Sequence, residues 1–215
     1  MAFIGDSITE HNEHALANWL MYIENWTGAD IQNLGISGTN FHGGRHEKAV
    51  LYREQISKID DETKLIGVAA SFNNIQNLEL GKITDSLSDN TICGYINDLF
   101  DDLKYKYPKA VIICYCQSRW GGWHPTVKLS DEYVSAVEAI CENKGIPFFR
   151  EMYDDGNLDP FNSEYYTADN YFDYGLYLKM LRGEGLVDDV HPNSKGYRII
   201  VYHLLQFILE NIDYE

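Results

Sequence analysis

With 215 residues, 45% of them hydrophobic and 23% charged, the chain can build one sizeable core and does not read as disordered. A formal net charge of −16 argues against nucleic acid and anionic membrane surfaces, which require Lys and Arg, and suits neutral or cationic small molecules. No apolar run reaches the length of a membrane span, and the first residues lack a signal-peptide pattern.

The chain opens on a short apolar run, Ala2-Phe3-Ile4, that meets Gly5 and then Asp6 and Ser7, the pattern of a β-strand ending in a tight turn. Met1 stands so close to that turn that the strand is barely long enough, which points to a domain cut from a longer protein. Residues 14–26 read as a helix with Leu16, Trp19, Leu20 and Ile23 on one face, closed by Gly28. A short strand at 30–35 leads into the loop 36–40, and a helix is expected at 48–59. Residues 65–70 are continuously apolar, as a strand buried on both faces must be, and run into Ser71-Phe72-Asn73-Asn74.

A polar loop to about residue 90 precedes a helix at 92–107 that Pro108 breaks. Residues 110–116 form the clearest strand, with Cys114 and Cys116 on one of its faces. The four cysteines show neither metal-ligand spacing nor a disulfide framework, which favours a reducing compartment without excluding secretion. A helix at 130–143 is expected, with Ser130 as N-cap and Gly145 as terminator, and then a last strand at 146–149. Residues 151–187 are a Tyr-, Asp- and Gly-rich excursion with one helix at 171–181. The closing helix at 194–212 carries the stripe Ile200, Leu204, Ile208 and Ile212. Strands alternating with helices predict an α/β fold: three layers, doubly wound, with a flavodoxin-like five-stranded parallel sheet and helices on both faces, in a single domain over 1–215.

In such a sheet the loops after the strands open on one edge, where ligands bind. Ser7 follows the first strand, Gly38 and Asn40 the second, Asn73 and Asn74 the third, and Arg119, Trp120, Trp123 and His124 the fourth. Asp188 and His191, just before the last helix, can close the same crevice. A serine hydroxyl needs a base that a third group orients, and Asp188 lies three residues before His191, on the same side of a helical turn. Gly38 lets a backbone N–H approach a substrate, and Asn73 supplies an amide donor, the parts of an oxyanion hole. Taken singly, each is equally an ordinary turn, hinge or cap. Their arrival in order at one sheet edge points to chemistry.

These residues resemble the SGNH, or GDSL-type, hydrolases. Gly5-Asp6-Ser7-Ile8 matches the first block with isoleucine for the usual leucine, Asn33-Leu34-Gly35-Ile36-Ser37-Gly38 the second, and Asp188-Asp189-Val190-His191 the fifth. The third block, usually Gly-x-Asn-Asp, reads Ser71-Phe72-Asn73-Asn74: the amide donor is kept while the glycine and the acid are replaced. The resemblance implies Ser7 as nucleophile and first oxyanion donor, Gly38 and Asn73 as the others, His191 as base and Asp188 as its orienter. It implies acyl transfer with no metal or organic cofactor. Asp6, Asn40, Asn74, Arg119, Trp120 and Trp123 are the expected substrate contacts.

Two indoles on one loop and the tyrosines of the excursion suit a flat hydroxylated ligand, so a carbohydrate O-acetyl ester is the leading substrate. The alternatives are a lipase, lysophospholipase or thioesterase of the same family, or a non-catalytic carbohydrate-binding module of a larger surface or phage-type protein. Histidine pairs at 11 and 14 or 42 and 46 lack a compelling third metal ligand. The acidic first loop lacks the residues that would cradle a cofactor phosphate.

Overall fold

The computed structural model describes residues 1–10, 18–43, 51–116, 127–150 and 194–211. Among them five strands, β1 (Ala2–Gly5), β2 (Gln32–Gly35), β3 (Leu65–Ala69), β4 (Val111–Tyr115) and β5 (Phe148–Phe149), form one sheet in the order β2-β1-β3-β4-β5. Every neighbouring pair is parallel, so this is the expected flavodoxin-like order, with β1 in the interior beside its two crossover partners. The helices are α1 (Ser7–Glu10), α2 (Trp19–Thr27), α3 (Tyr52–Gln55), α4 (Ile92–Lys106), α5 (Val127–Lys144) and α6 (Ser194–Asn211).

Side chains alternate across each strand, and β1, β3 and β4 are buried on both sides, which is why they read as unbroken apolar runs, whereas the edge strand β2 is polar and partly exposed. Ala2, Ile4, Ile66, Val68, Ile112 and Cys114 pack with Tyr52, Ile96, Phe100, Val137 and Cys141 on the face covered by α3, α4 and α5. Phe3, Leu65, Ile113 and Tyr115 pack with Trp19, Ile23, Tyr197, Ile200 and Leu204 on the face covered by α2 and α6. The rings of Phe3, Trp19 and Tyr115 meet edge to face with centroids 5.3–6.4 Å apart. Cys93, Cys114, Cys116 and Cys141 are all buried free thiols, and Cys116 joins Cys114 on the expected common face.

The expected helix terminators are in place. The Gly28 N–H reaches the Glu24 carbonyl at 2.8 Å, and Gly145 and Ile146 close α5 onto Glu142 and Cys141 at 3.0 and 2.8 Å. One cap is corrected: α5 begins at Val127, so Ser130 lies inside its first turn rather than at its N-cap. Nothing in Val127-Lys128-Leu129 opposes a helix, and Leu129 packs against the core, so the helix starts before the polar residue that resembled a cap. The helix expected at 48–59 is two short pieces, α3 and a 3-10 turn at Ile56–Lys58, with 44–50 outside the described residues. β5 is shorter than expected because Pro147 has no N–H for the ladder, although its carbonyl accepts from Cys114 at 3.0 Å. The excursion at 151–187 lies outside the described residues. No helix among the described residues is long and apolar enough to cross a membrane.

Candidate active site

The strands end level: Gly5 pairs with Gly35, Ala69 with Tyr115 and Tyr115 with Phe149. The first three connections therefore leave the sheet side by side, at the switch point where β1 lies between β2 and β3. Asp6 caps the turn after β1. Its Oδ1 accepts the Ile8 N–H at 3.0 Å, and its carbonyl accepts Glu10 N–H at 2.8 Å, which starts α1 with Ser7 as the first residue.

A one-turn helix is not stable alone, and its orphan carbonyls need partners. Here they have them from three segments. Trp19 Nε1 and the Tyr197 hydroxyl both donate to the Ile8 carbonyl at 3.1 Å. The Asn18 and Asn33 amides donate to the Thr9 carbonyl at 2.9 and 2.8 Å, and Asn33 also reaches Glu10 at 2.8 Å. Gly35 lets α1 lie directly on β2, since a Cβ there would stand 2.2 Å from the Glu10 backbone nitrogen. Ser7 is thus half-buried on a helix clamped between α2, β2 and α6.

The loop after β2 turns at Gly38, whose φ of +75° is open to glycine and strained for other residues. The Thr39 N–H closes this turn on the Ile36 carbonyl at 3.2 Å, and the Thr39 hydroxyl donates to Gly5 at 3.1 Å, fixing the loop to the end of β1. The Glu10 carboxylate accepts the Ser37 N–H at 2.7 Å and ties the same loop to α1.

The loop after β3 brings Ser71 and Asn73 to Asp6. The Ser71 hydroxyl donates to Asp6 Oδ2 at 2.6 Å and the Asn73 amide to the same oxygen at 3.4 Å. Asn73 Nδ2 also reaches the Thr39 carbonyl at 3.3 Å, so the three connections meet at one amide nitrogen. Asn74, at φ 58° in the left-handed region, starts the 3-10 turn Ile75–Asn77.

The structure therefore brings together Asp6, Ser7, Gly38, Asn40, Asn73 and Asn74. Asp6 and Asn40, expected as substrate contacts, are only 6% and 1% exposed. The Asn40 amide donates to the Asn73 carbonyl and accepts the His42 N–H at 3.0 Å, so both of its ends are held within the chain. Asp188, His191, Arg119, Trp120 and Trp123 lie outside the described residues. Sequence reasoning missed the second layer: Asn18, Asn33, Trp19 and Tyr197 on α1, and Ser71 with Tyr133, whose hydroxyl donates to the Ser71 carbonyl at 2.8 Å. Of these Asn33 and Ser71 stood in motifs, and only Ser71 announced itself, as a departure from the family pattern.

Electrostatics follow from burial. Desolvation pushes the Tyr52, Tyr115 and Tyr133 hydroxyls up, and the Asp6 carboxylate adds to each shift, so all three stay protonated around it. Burial pulls His42 below its ordinary value, partly opposed by the Asn74 backbone. Among the described residues no three His, Cys, Asp or Glu cluster in a way that could hold a metal ion.

The sequence model of the GDSL-like Lipase/Acylhydrolase family matches residues 3–199. No curated protein matches the sequence. A protein from Lactobacillus plantarum is similar in structure, with a TM-score of 0.74 at 20% identity over 99% of this chain and 97% of that one. A family two carbohydrate esterase from Clostridium thermocellum, solved with cellohexaose, gives 0.62 at 15% identity over 97% of this chain and 63% of that one. A member of the lipolytic G-D-S-L family from Veillonella parvula gives 0.60 at 14% identity over 98% of both chains. At these identities the three likenesses speak for the fold.

Proposed function

The chain belongs to the GDSL-like lipase/acylhydrolase family, and from that membership we propose that it is a serine esterase that removes small acyl groups, acetyl above all, from carbohydrate esters. The observation that carries the reading is the meeting of three connections at the end of β1. Ser7 opens a clamped helix there, beside the Gly38 turn and the Asn73 amide.

In this reading Ser7 Oγ attacks the ester carbonyl while His191 accepts its proton, and Asp188 holds the imidazole in the productive tautomer. The carbonyl oxygen becomes an oxyanion that the Ser7 and Gly38 amides and the Asn73 side chain receive. Collapse expels the alcohol, which takes the proton back from His191 and leaves an acyl-serine. His191 then draws a proton from water, whose oxygen attacks the acyl carbon and releases the acid and free Ser7. We assign Asp6 and Asn40 to holding the loops, and Asn74, Arg119, Trp120 and Trp123 to the substrate. Trp120 and Trp123, which the sequence sets three residues apart, offer flat faces for a sugar and support the carbohydrate assignment, and so does the fold shared with an esterase that was solved holding cellohexaose.

The test is hydrolysis of p-nitrophenyl acetate beside p-nitrophenyl octanoate by the wild type and Ser7→Ala. Acetate turnover that disappears in the variant is expected, rising with pH through about 6–7 as the histidine base loses its proton. Equal turnover of octanoate would move the substrate to lipids. Turnover independent of Ser7, or none with either ester, would move the protein to a binding role.

A further inference from the structure

We infer that the Ser71 hydroxyl is a positioning group that occupies the Asp6 carboxylate and so leaves the Asn73 amide free to turn onto the oxyanion. This rests on the reading of Asn73 as an oxyanion donor. Ser71 stands where the family carries glycine, is 3% exposed, and has its carbonyl pinned by the Tyr133 hydroxyl. Its hydroxyl makes the short contact to Asp6 Oδ2, 2.6 Å, within the range of a charge-assisted O–H···O⁻ bond. Ser71 Oγ in turn accepts the backbone N–H of Asn73 at 3.2 Å.

The Asn73 side chain, by contrast, is held loosely at two places. Its nitrogen is 3.4 Å from Asp6 Oδ2 and 3.3 Å from the Thr39 carbonyl, both beyond the usual N–H···O range of about 2.7–3.2 Å. The Asn73 backbone is fixed from both sides, its N–H by Ser71 and its carbonyl by Asn40. Only the side chain is left to turn, and leaving two long bonds for an oxyanion is easy. Without the Ser71 hydroxyl, Asp6 Oδ2 would draw in the neighbouring amide instead. A charge-assisted bond would then hold the amide group against Asp6 and oppose its turn onto the oxyanion.

The experiment is a double-variant cycle on p-nitrophenyl acetate with Ser71→Ala, Ser71→Thr, Asn73→Ala and the pair Ser71→Ala/Asn73→Ala. Ser71→Ala is expected to lower kcat about 10- to 100-fold with KM within about twofold. This is less than the roughly 10²–10³ expected for deleting the donor itself. Ser71→Thr restores the hydroxyl and is expected to recover most of kcat. The pair should lose no more than Asn73→Ala alone, because both changes act through one amide. Ser71→Gly, the family's usual residue, gives a second removal of the hydroxyl should the alanine variant fold poorly. Wild-type kcat in Ser71→Ala or Ser71→Gly, or losses that multiply in the pair, would overturn the inference. If wild-type turnover is absent or survives Ser7→Ala, the esterase reading itself fails, a different outcome from Ser7-dependent turnover that ignores Ser71.

Discussion

Gly35→Ala is the substitution that most directly tests whether the packing of α1 places Ser7, the proposed nucleophile. An added Cβ would stand 2.2 Å from Glu10 N, 2.6 Å from the Thr9 carbonyl carbon and 2.7 Å from Glu10 Cα, all of them backbone atoms. No rotamer change can relieve contacts with backbone. Ordinary contact starts near 3.4 Å, so α1 must back off β2 by about 1 Å. The helix is one rigid turn whose carbonyls are clamped by Asn18, Asn33, Trp19 and Tyr197, so the displacement is passed on to Ser7 at its start. A misplacement of this size at a reacting group costs on the order of 10²-fold in kcat/KM, and the overpacking itself about 1–3 kcal/mol of stability.

Gly28→Ala is the matched control. It has nothing within 4 Å of its Cβ position but sits at φ +69°. It is expected to lose about 1–2 kcal/mol through left-handed backbone strain, a fall of roughly 2–8 °C in Tm for a domain of this size, with kcat/KM unchanged. Both variants are read by p-nitrophenyl acetate kinetics and thermal melts. A Gly35→Ala enzyme with wild-type kcat/KM would refute the claim that contact between α1 and β2 sets the position of Ser7.

Two further predictions follow from single groups. Tyr197→Phe removes a hydroxyl 3.1 Å from the Ile8 carbonyl, which keeps the Trp19 indole as a second donor. The loss in urea denaturation should therefore stay near the low end of the 0.5–1.5 kcal/mol range, about 0.5 kcal/mol, and a loss above about 2 kcal/mol would mean the indole does not compensate. His42 has its pKa lowered by burial, so on acidification the unfolded chain takes up a proton that the folded chain refuses. Stability is thus present above the unfolded value of about 6.5 and is lost as pH falls from there toward the lower folded value. Melts between pH 7.5 and 5.5 should fall more steeply for the wild type than for His42→Phe, and parallel curves would refute the assignment.

Much of the fold was legible because burial on both faces forces a parallel strand to be apolar at every position, which marks 65–70 and 110–116 without ambiguity. Gly28 and Gly145 were legible for a local reason: a left-handed residue ends a helix wherever it lies. Gly38 was legible as a loop glycine after β2, and its φ of +75° is a conformation that favours glycine. Ser130 misled, because a polar residue before an apolar run resembles a cap until the packing of Leu129 extends the helix past it.

The amino-acid sequence by itself determined which segments are strands, where most helices stop, and which residue types gather after each strand. Local sterics and the cost of burying polar groups act on neighbours along the chain. The alternation of strands and helices led to the expected order β2-β1-β3-β4-β5, but only the tertiary structure decided the register that sets Gly5 beside Gly35. It also decided that Asn40 and Asp6 turn inward, and that Ser71 reaches a carboxylate 65 residues away. Hydrogen-bond partners so far apart are chosen by how the layers stack, and no pattern within either segment records the other.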